Sequence, residues 1–355
     1  MTLEDLGYTQ DLEQYGQDNS LEGFGVGRVI SEHKDRYEVK TSTHEFDAEL
    51  IGNLRFTAES RYDFPAVGDW VAISEYEENK ALIHHVYPRH STLVRQAVGK
   101  SAQVQIIATN VDFGLIVQSV NRDFNINRLE RYLTICNTSK VAPIIILSKI
   151  DLIDEAELQT LLTQIKQRIK DVPVVALSNQ SQTGLNHIKK FITKGKTYCL
   201  LGSSGVGKST LINNLTGTAV METGIISESV DRGKHVTSHR ELIVLDGGGI
   251  LIDNPGMREV GITNTSEGLE ATFDEILQLA SDCRFKDCTH TNEKGCAILA
   301  AVESGEIDSD SYNNFRKMER ERSHFETSVE DRKKKEKNLG KLIKQAVKQR
   351  RDSKY

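Results

Sequence analysis

Gly202-Ser203-Ser204-Gly205-Val206-Gly207-Lys208-Ser209-Thr210 lies between an apolar, strand-like run, Thr197-Tyr198-Cys199-Leu200-Leu201, and a helical one, Leu211-Ile212-Asn213-Asn214-Leu215. A glycine-rich loop in that setting satisfies the Walker A pattern G-x-x-x-x-G-K-[ST]. Its glycines let the backbone wrap a phosphate, and successive N–H groups at the helix N-terminus point at it. In such a loop Lys208 reaches the β- and γ-phosphates and Ser209 holds Mg²⁺. A Gly/Ser-rich loop can match by chance, but the flanking strand and helix argue for a nucleotide-binding loop.

The chain has 355 residues, enough for two or three domains with buried cores. Its 38% hydrophobic and 27% charged content fits a globular protein. No apolar run approaches the roughly 18–20 residues needed to cross a bilayer, and the N-terminus is acidic rather than signal-like. A cytoplasmic protein without a membrane partner is expected. The net charge of −6 is uneven: residues 1–22 hold six carboxylates and no Lys or Arg, whereas residues 331–355 hold eleven Lys/Arg against three acids. The head reads as a mobile acidic arm or a loosely docked helix. The tail reads as a basic segment for a polyanion.

Between about residues 23 and 100 the pattern is of short strands with turn punctuation: Gly27–Ile30, Tyr37–Lys40, Phe46–Leu50, Asp69–Ile73 and Ala81–His84. Five such strands suggest a small barrel of the OB-fold kind. Such barrels bind RNA through basic and aromatic side chains, for which Arg28, Arg55, Phe56, Arg61, Tyr62, Arg89 and Arg95 are candidates. A scattered arginine surface on an ordinary β-domain is the alternative.

Residues 101–265 alternate longer buried strands with helices. Phe113–Val117 is strand-like, and Asn125–Cys136 is helical with Ile126, Leu129 and Leu133 on one face. The β-branched run Pro143–Leu147 ends in Ser148-Lys149-Ile150-Asp151, which resembles the N-K-x-D guanine motif of GTPases. There Asp151 would accept the guanine N1–H and 2-amino hydrogens, a donor pair adenine lacks, and Lys149 would pack its stem over the base. Ser148 stands where the motif has Asn, and its shorter side chain predicts weaker bracing of the nucleotide loops. A second run, Val172–Leu177, ends at Ser178-Asn179, resembling the S-A-x loop that closes over guanine.

Downstream of the phosphate loop, Arg232–His239 sits where a GTPase carries its first switch, with Thr237, then Ser238, as candidates to complete the Mg²⁺ shell. Glu241–Leu245 and Ile250–Asp253, joined by Asp246-Gly247-Gly248-Gly249, read as a hairpin that delivers Asp253-Asn254-Pro255-Gly256, a D-x-x-G match. Asp253 would reach Mg²⁺ and the Gly256 N–H would sense the γ-phosphate. The guanine motifs precede the phosphate loop, so the GTPase domain is circularly permuted; such rearrangement is mild when termini lie close together. Met257 replaces the water-orienting Gln of Ras-like enzymes, which predicts slow intrinsic hydrolysis. His235 and His239 are candidate water-positioning groups or plain surface histidines.

Over residues 266–330 the reading is helical, with Cys283-x₄-Cys288-x-His290-x₅-Cys296 as a Cys₃His set suited to one structural zinc. Cys136 and Cys199 read as core residues. Barrel, permuted GTPase, zinc spacing and basic tail together resemble the ribosome small-subunit-dependent GTPase A family over nearly the whole chain. Gly68-Asp69-Trp70-Val71 and Asp123-Phe124-Asn125 with Arg128 and Tyr132 add to the likeness; Ser148 and Val236 depart from it. The resemblance implies a monomeric GTP hydrolase that binds the 30S subunit and its 16S rRNA through both outer domains. It would act late in subunit maturation and leave after subunit-stimulated hydrolysis of GTP to GDP. Two rivals stand beside it: a permuted GTPase for another RNA particle, and an RNA-binding module with nucleotide as a structural ligand.

Overall fold

The computed structural model describes residues 1–33, 36–96, 104–121, 124–217, 241–253 and 266–327. The acidic head, expected as a mobile arm or a loosely docked helix, is helical and packs on the barrel. It forms a helical turn at Glu4–Leu6 and helix α1 (Gln10–Asp18), whose Thr9 cap accepts the Leu12 amide. Leu6 is fully buried in a cluster with Leu21, Trp70, Ala72 and Tyr87, and Tyr8 meets the Trp70 ring edge-on at 4.9 Å. Its apolar anchors are interrupted by a left-handed turn at Gly7 (φ 87°), so no single period marks them in the sequence.

The barrel consists of β1 (Gly25–His33), β2 (Arg36–Lys40), β3 (Glu45–Leu50), β4 (Trp70–Glu77) and β5 (Lys80–Val86), with helix α2 (Gly52–Thr57) between β3 and β4. Buried and exposed positions alternate along β2 and β3, as expected of strands with one face on a core. β1 pairs β2, β2 pairs β3, β3 runs parallel to β5, β5 pairs β4, and β4 returns to β1. Closure leaves no free edge and encloses Val29, Val39, Phe46, Val71, Ile73 and Ile83. A two-stranded ribbon follows, β6 (Thr92–Gln96) against β7 (Val104–Thr109), running across the boundary expected near residue 100.

The nucleotide-binding unit is built on β8 (Phe113–Ser119), β9 (Ala142–Ser148), β10 (Val174–Ala176), β11 (Thr197–Leu201), β12 (Glu241–Val244) and β13 (Ile250–Asp253). The sheet order is β10-β9-β8-β11-β13-β12, all parallel except β12, and Ser31 of β1 pairs with Glu241 of β12 to join the barrel to it. Helices α3 (Ile126–Thr138) and α4 (Glu155–Arg168) cover one face; α5 (Leu185–Lys189) and α6 (Lys208–Thr216) cover the other. Successive strand residues divide between the faces: Ile116, Ile145, Cys199 and Ile252 join the first core, and Leu115, Ile144, Leu200 and Leu251 the second. Burial on both sides explains why these strands read as unbroken apolar runs. From β8 the chain builds outward through β9 and β10, then returns to β11 and builds the other way. The crevice at the strand ends between β8 and β11 is thus a topological switch point, where α/β sheets bind ligands.

The C-terminal part comprises α7 (Ser266–Thr272), α8 (Asp274–Gln278), α9 (Ala297–Ser304) and a helix over residues 309–327, packed around Leu269, Phe273, Ile298, Phe315 and Met318. It seats on α3. Gly268 lies so close that a Cβ there would come within 2.0 Å of Thr138 Oγ1, and Thr134 and Asn137 both bond Thr272. Buried Glu130 accepts hydrogen bonds from Arg168 and Asn314 at 2.7 and 2.6 Å. Arg131 donates to both carboxylate oxygens of Glu321 at 2.6 and 2.9 Å.

Candidate nucleotide site and metal centre

The loop Gly202–Gly207 leaves the end of β11 at that switch point. Gly202 (φ 152°), Gly205 (φ 80°) and Gly207 (φ 95°) take backbone conformations that side chains disfavour. A Cβ on Gly202 would sit 2.4 Å from the Val117 carbonyl oxygen, so the loop lies directly on β8. Ser203 and Ser204 are half-buried, Gly205 is exposed, and Val206 anchors the loop in the core. No side chain caps α6, so its first-turn N–H groups face the loop, as an anion site requires. Lys208 is buried, its Nζ donating to the Gly202 and Ser203 carbonyls at 2.8 Å each. Burial depresses its pKa to about 8 against the opposing pull of Asp253, which ends β13 at 2% exposure. Ser209 and Thr210 are half-buried on the first turn of α6.

Two residues of the expected guanine motifs, Ser148 and Asn179, reach this loop. Ser148 is fully buried at the end of β9, and its Oγ donates to the Val206 carbonyl at 2.6 Å. Short as it is, the hydroxyl still reaches the loop, because β9 and the loop approach closely. Asn179 Nδ2 donates to the Gly207 carbonyl at 3.0 Å, and Asn214 on α6 donates back to the Asn179 carbonyl at 3.1 Å. Ser178 is buried, and its Oγ accepts the Gln180 and Ser181 amides, shaping the turn after β10. Lys149 is held in the left-handed region (φ 62°), costly for a non-glycine residue, and it turns the chain so that Asp151 stands exposed on the next helical turn. Thr237, Ser238, His235, His239, Gly256 and Met257, like the basic tail, lie outside the described residues.

Two contacts escaped the sequence reading. Asn214 ties α6 to the Asn179 turn; the polar pair Asn213-Asn214 in an otherwise apolar helix was its one signal. Tyr132 of α3 is buried, which pushes its pKa up to about 12, and Ser203 of the phosphate loop lies near enough to oppose that rise. Nothing local in the sequence marks that contact.

Some barrel arginines proposed for RNA are structural instead. Arg28 is 1% exposed, lies 5.5 Å over the Trp70 ring, and donates to the carbonyls of Leu6, Gly68 and Asn110. Burial lowers its pKa to about 10. Arg89 pairs with fully buried Asp69 at 2.6 Å and also holds the Tyr62 and Phe64 carbonyls. Arg95 bonds Gln105 across the ribbon. Arg55, Arg61, Tyr62 and above all Phe56, 91% exposed, remain on the surface.

In the C-terminal part the four predicted ligands meet. Cys283, Cys288, His290 and Cys296 place their donor atoms within 4.8 Å of one another. Cys283 Sγ lies 3.9 Å from Cys296 Sγ, and His290 Nδ1 lies 3.5 and 3.6 Å from these two sulfurs. Tetrahedral zinc with Zn–S of about 2.3 Å and Zn–N of about 2.05 Å puts its ligands about 3.5–3.8 Å apart. The spacing and donor set therefore fit one structural zinc held through Nδ1 of the histidine. Glu293 fixes the ligand loop by accepting the Thr289 hydroxyl and the Thr289, Thr291 and Asn292 amides, which hold its carboxyl far below the usual range.

Comparison with known proteins agrees with this geometry. The profile of the RsgA GTPase family matches residues 86–263. A small ribosomal subunit biogenesis GTPase RsgA 2 of Lactiplantibacillus plantarum is 44% identical over 299 residues, covering 84% of each chain. A small ribosomal subunit biogenesis GTPase RsgA of Opitutus terrae is 38% identical over 340 residues, 93% of this chain and 92% of that one. The crystal structure of YjeQ from Thermotoga maritima superposes with a TM-score of 0.60 at 26% identity, over 83% of this chain and 96% of that one. With that profile matched over residues 86–263 and these relatives matched over most of their length, the chain belongs to the RsgA GTPase family.

Proposed function

We propose that this chain is a GTP hydrolase of small-subunit maturation, binding near-mature 30S subunits in its GTP form and leaving after hydrolysis to GDP. The observation that carries the reading is the pair of bonds Ser148–Val206 and Asn179–Gly207, which lock both base-binding turns to the phosphate loop. In a GTP complex the loop amides and the α6 N-terminus take the phosphates, and Lys208 exchanges its carbonyl partners for phosphate oxygens. Asp151 accepts the guanine hydrogens. Ser209 and Asp253 are the described residues that would hold Mg²⁺, which neutralises phosphate charge when bound; Thr237 and Gly256 are proposed to sense the γ-phosphate.

Met257 leaves the loop without a water-orienting amide, so turnover alone is slow and the subunit supplies what is missing, a role elsewhere worth about 10³–10⁵ in rate. The barrel and the zinc domain, assigned to residues 23–100 and 266–330, are the proposed 16S rRNA contacts of a cytoplasmic monomer. The test is GTP hydrolysis by the purified chain alone, with 30S and with 50S subunits, and with Asp253→Ala. Stimulation by 30S alone supports the reading. Stimulation by 50S, or by neither subunit while binding persists, would transfer it to another particle or to a non-catalytic RNA module.

A further inference from the structure

A cavity of about 420 Å³ opens beside the zinc loop, lined along the helix over 309–327 by Tyr312, Asn313, Arg316, Lys317, Arg320 and Glu321. Its floor is rigid. Tyr312 Oη donates to the carbonyl of the zinc ligand His290, and Arg316 Nη1 donates to the Thr289 carbonyl at 2.7 Å. Its charges are not balanced. Glu321 is taken up by the two-pronged bond to Arg131, and Arg316 by Glu319 at 2.6 Å. Lys317 and Arg320 are exposed, one helical turn apart, and neither has a carboxylate partner among the described residues. Two such cations, at i and i+3, project from neighbouring points on the helix surface.

We infer that this cavity binds the phosphate backbone of an RNA strand, with Lys317 and Arg320 on the phosphates and the Asn313 amide and Tyr312 ring beside the sugar or base. The inference rests on the rRNA-binding reading above and locates one contact of it. Flexible cations beside an amide and an aromatic face suit a nucleotide, since phosphate contacts fix position while amides and rings meet bases. An acidic peptide would match the charges but would leave the ring and amide without a role.

The test is equilibrium binding of the full chain to protein-free 16S rRNA and to 30S subunits across about 0.05–0.3 M KCl. Wild type is compared with Lys317→Ala/Arg320→Ala and with the charge-preserving Lys317→Arg/Arg320→Lys. Losing two phosphate contacts should reduce the slope of log K against log salt by about 1.4–1.8 and weaken binding about 10–30-fold near 0.15 M. The charge-preserving pair should keep the slope. Zinc content and melting temperature, unchanged in both variants, control for folding. Equal affinity and slope for wild type and the alanine pair would overturn the site while leaving the rRNA reading intact. A loss on 30S subunits but not on protein-free rRNA would overturn the RNA assignment in favour of a ribosomal protein. Absence of wild-type binding to either would overturn the rRNA reading itself, and this site with it.

Discussion

Ser148→Ala tests whether the hydroxyl that replaces the usual asparagine carries the bracing of the nucleotide loops. The substitution removes one atom from a fully buried side chain and leaves the Val206 carbonyl without the donor that approaches to 2.6 Å. A buried acceptor stripped of its partner costs about 1–3 kcal/mol. Part of that appears as lost stability, at about 2–4 °C of melting temperature per kcal/mol for a domain of this size. The rest appears as weaker nucleotide binding, because an unbraced loop must be ordered when phosphate enters; the full cost would be about 5–150-fold in Kd. The bond acts on the phosphate loop, so GTP and GDP should weaken together while the preference for guanine over adenine holds. Ser148→Asn supplies an amide donor but adds atoms where no surface is exposed, and overpacking costs about 1–3 kcal/mol, so recovery should be partial. Melting curves and titration with a fluorescent guanine nucleotide read both effects. An alanine variant with unchanged melting temperature and unchanged Kd for GTP would refute the reasoning.

Asp151→Asn should weaken GTP strongly and improve xanthosine triphosphate, because the new amide donor meets the xanthine 2-oxo group; competition between the two nucleotides reads the switch, and unchanged guanine preference would remove Asp151 from the base site. Lys208 predicts a pH dependence: its pKa is near 8 in the folded chain and a bound phosphate raises it, so binding takes up a proton. GTP affinity should hold below pH 8 and fall, up to about tenfold per pH unit, as pH rises above it; a flat profile between pH 7 and 9 would contradict the burial of this lysine. Cys283→Ser, or a strong chelator, should release about one zinc per chain and lower the stability of residues 266–327, read by metal analysis and calorimetry. Glu130→Ala takes the buried carboxylate from Arg168, 10% exposed, leaving it Asn127 and Asp308 at 3.5 Å, and should destabilise by about 1–3 kcal/mol, checked by urea unfolding.

The catalytic unit was legible because its determinants are local. A phosphate loop needs glycines at fixed offsets, its strands need apolar runs, and a zinc site needs thiols at short spacing; each is written within about fifteen residues. The order of those blocks then gave the permutation, since no ordinary connectivity places Ser148-Lys149-Ile150-Asp151 ahead of Gly202. What failed depends on contacts far apart in sequence. Arg28 looks like an RNA-facing cation until Leu6, Gly68 and Asn110 are brought around it, and only closure of the barrel brings them there. Arg89 is the same case: Asp69 is twenty positions away, and a cation paired with a fully buried carboxylate is committed within the fold rather than offered to a ligand. The β6–β7 ribbon was missed because residues 97–103 separate its two strands in sequence, so neither strand reveals the other. Tyr132 shows the limit most plainly. It stands on α3 with the apolar residues that cover the sheet, and helical periodicity counts it among them. It nevertheless lies near Ser203, more than seventy positions later, on the same helix that receives Gly268 and Glu321 from the zinc domain. Periodicity tells which face of α3 is buried; only the fold tells that its two ends of contact are the phosphate loop and the metal domain.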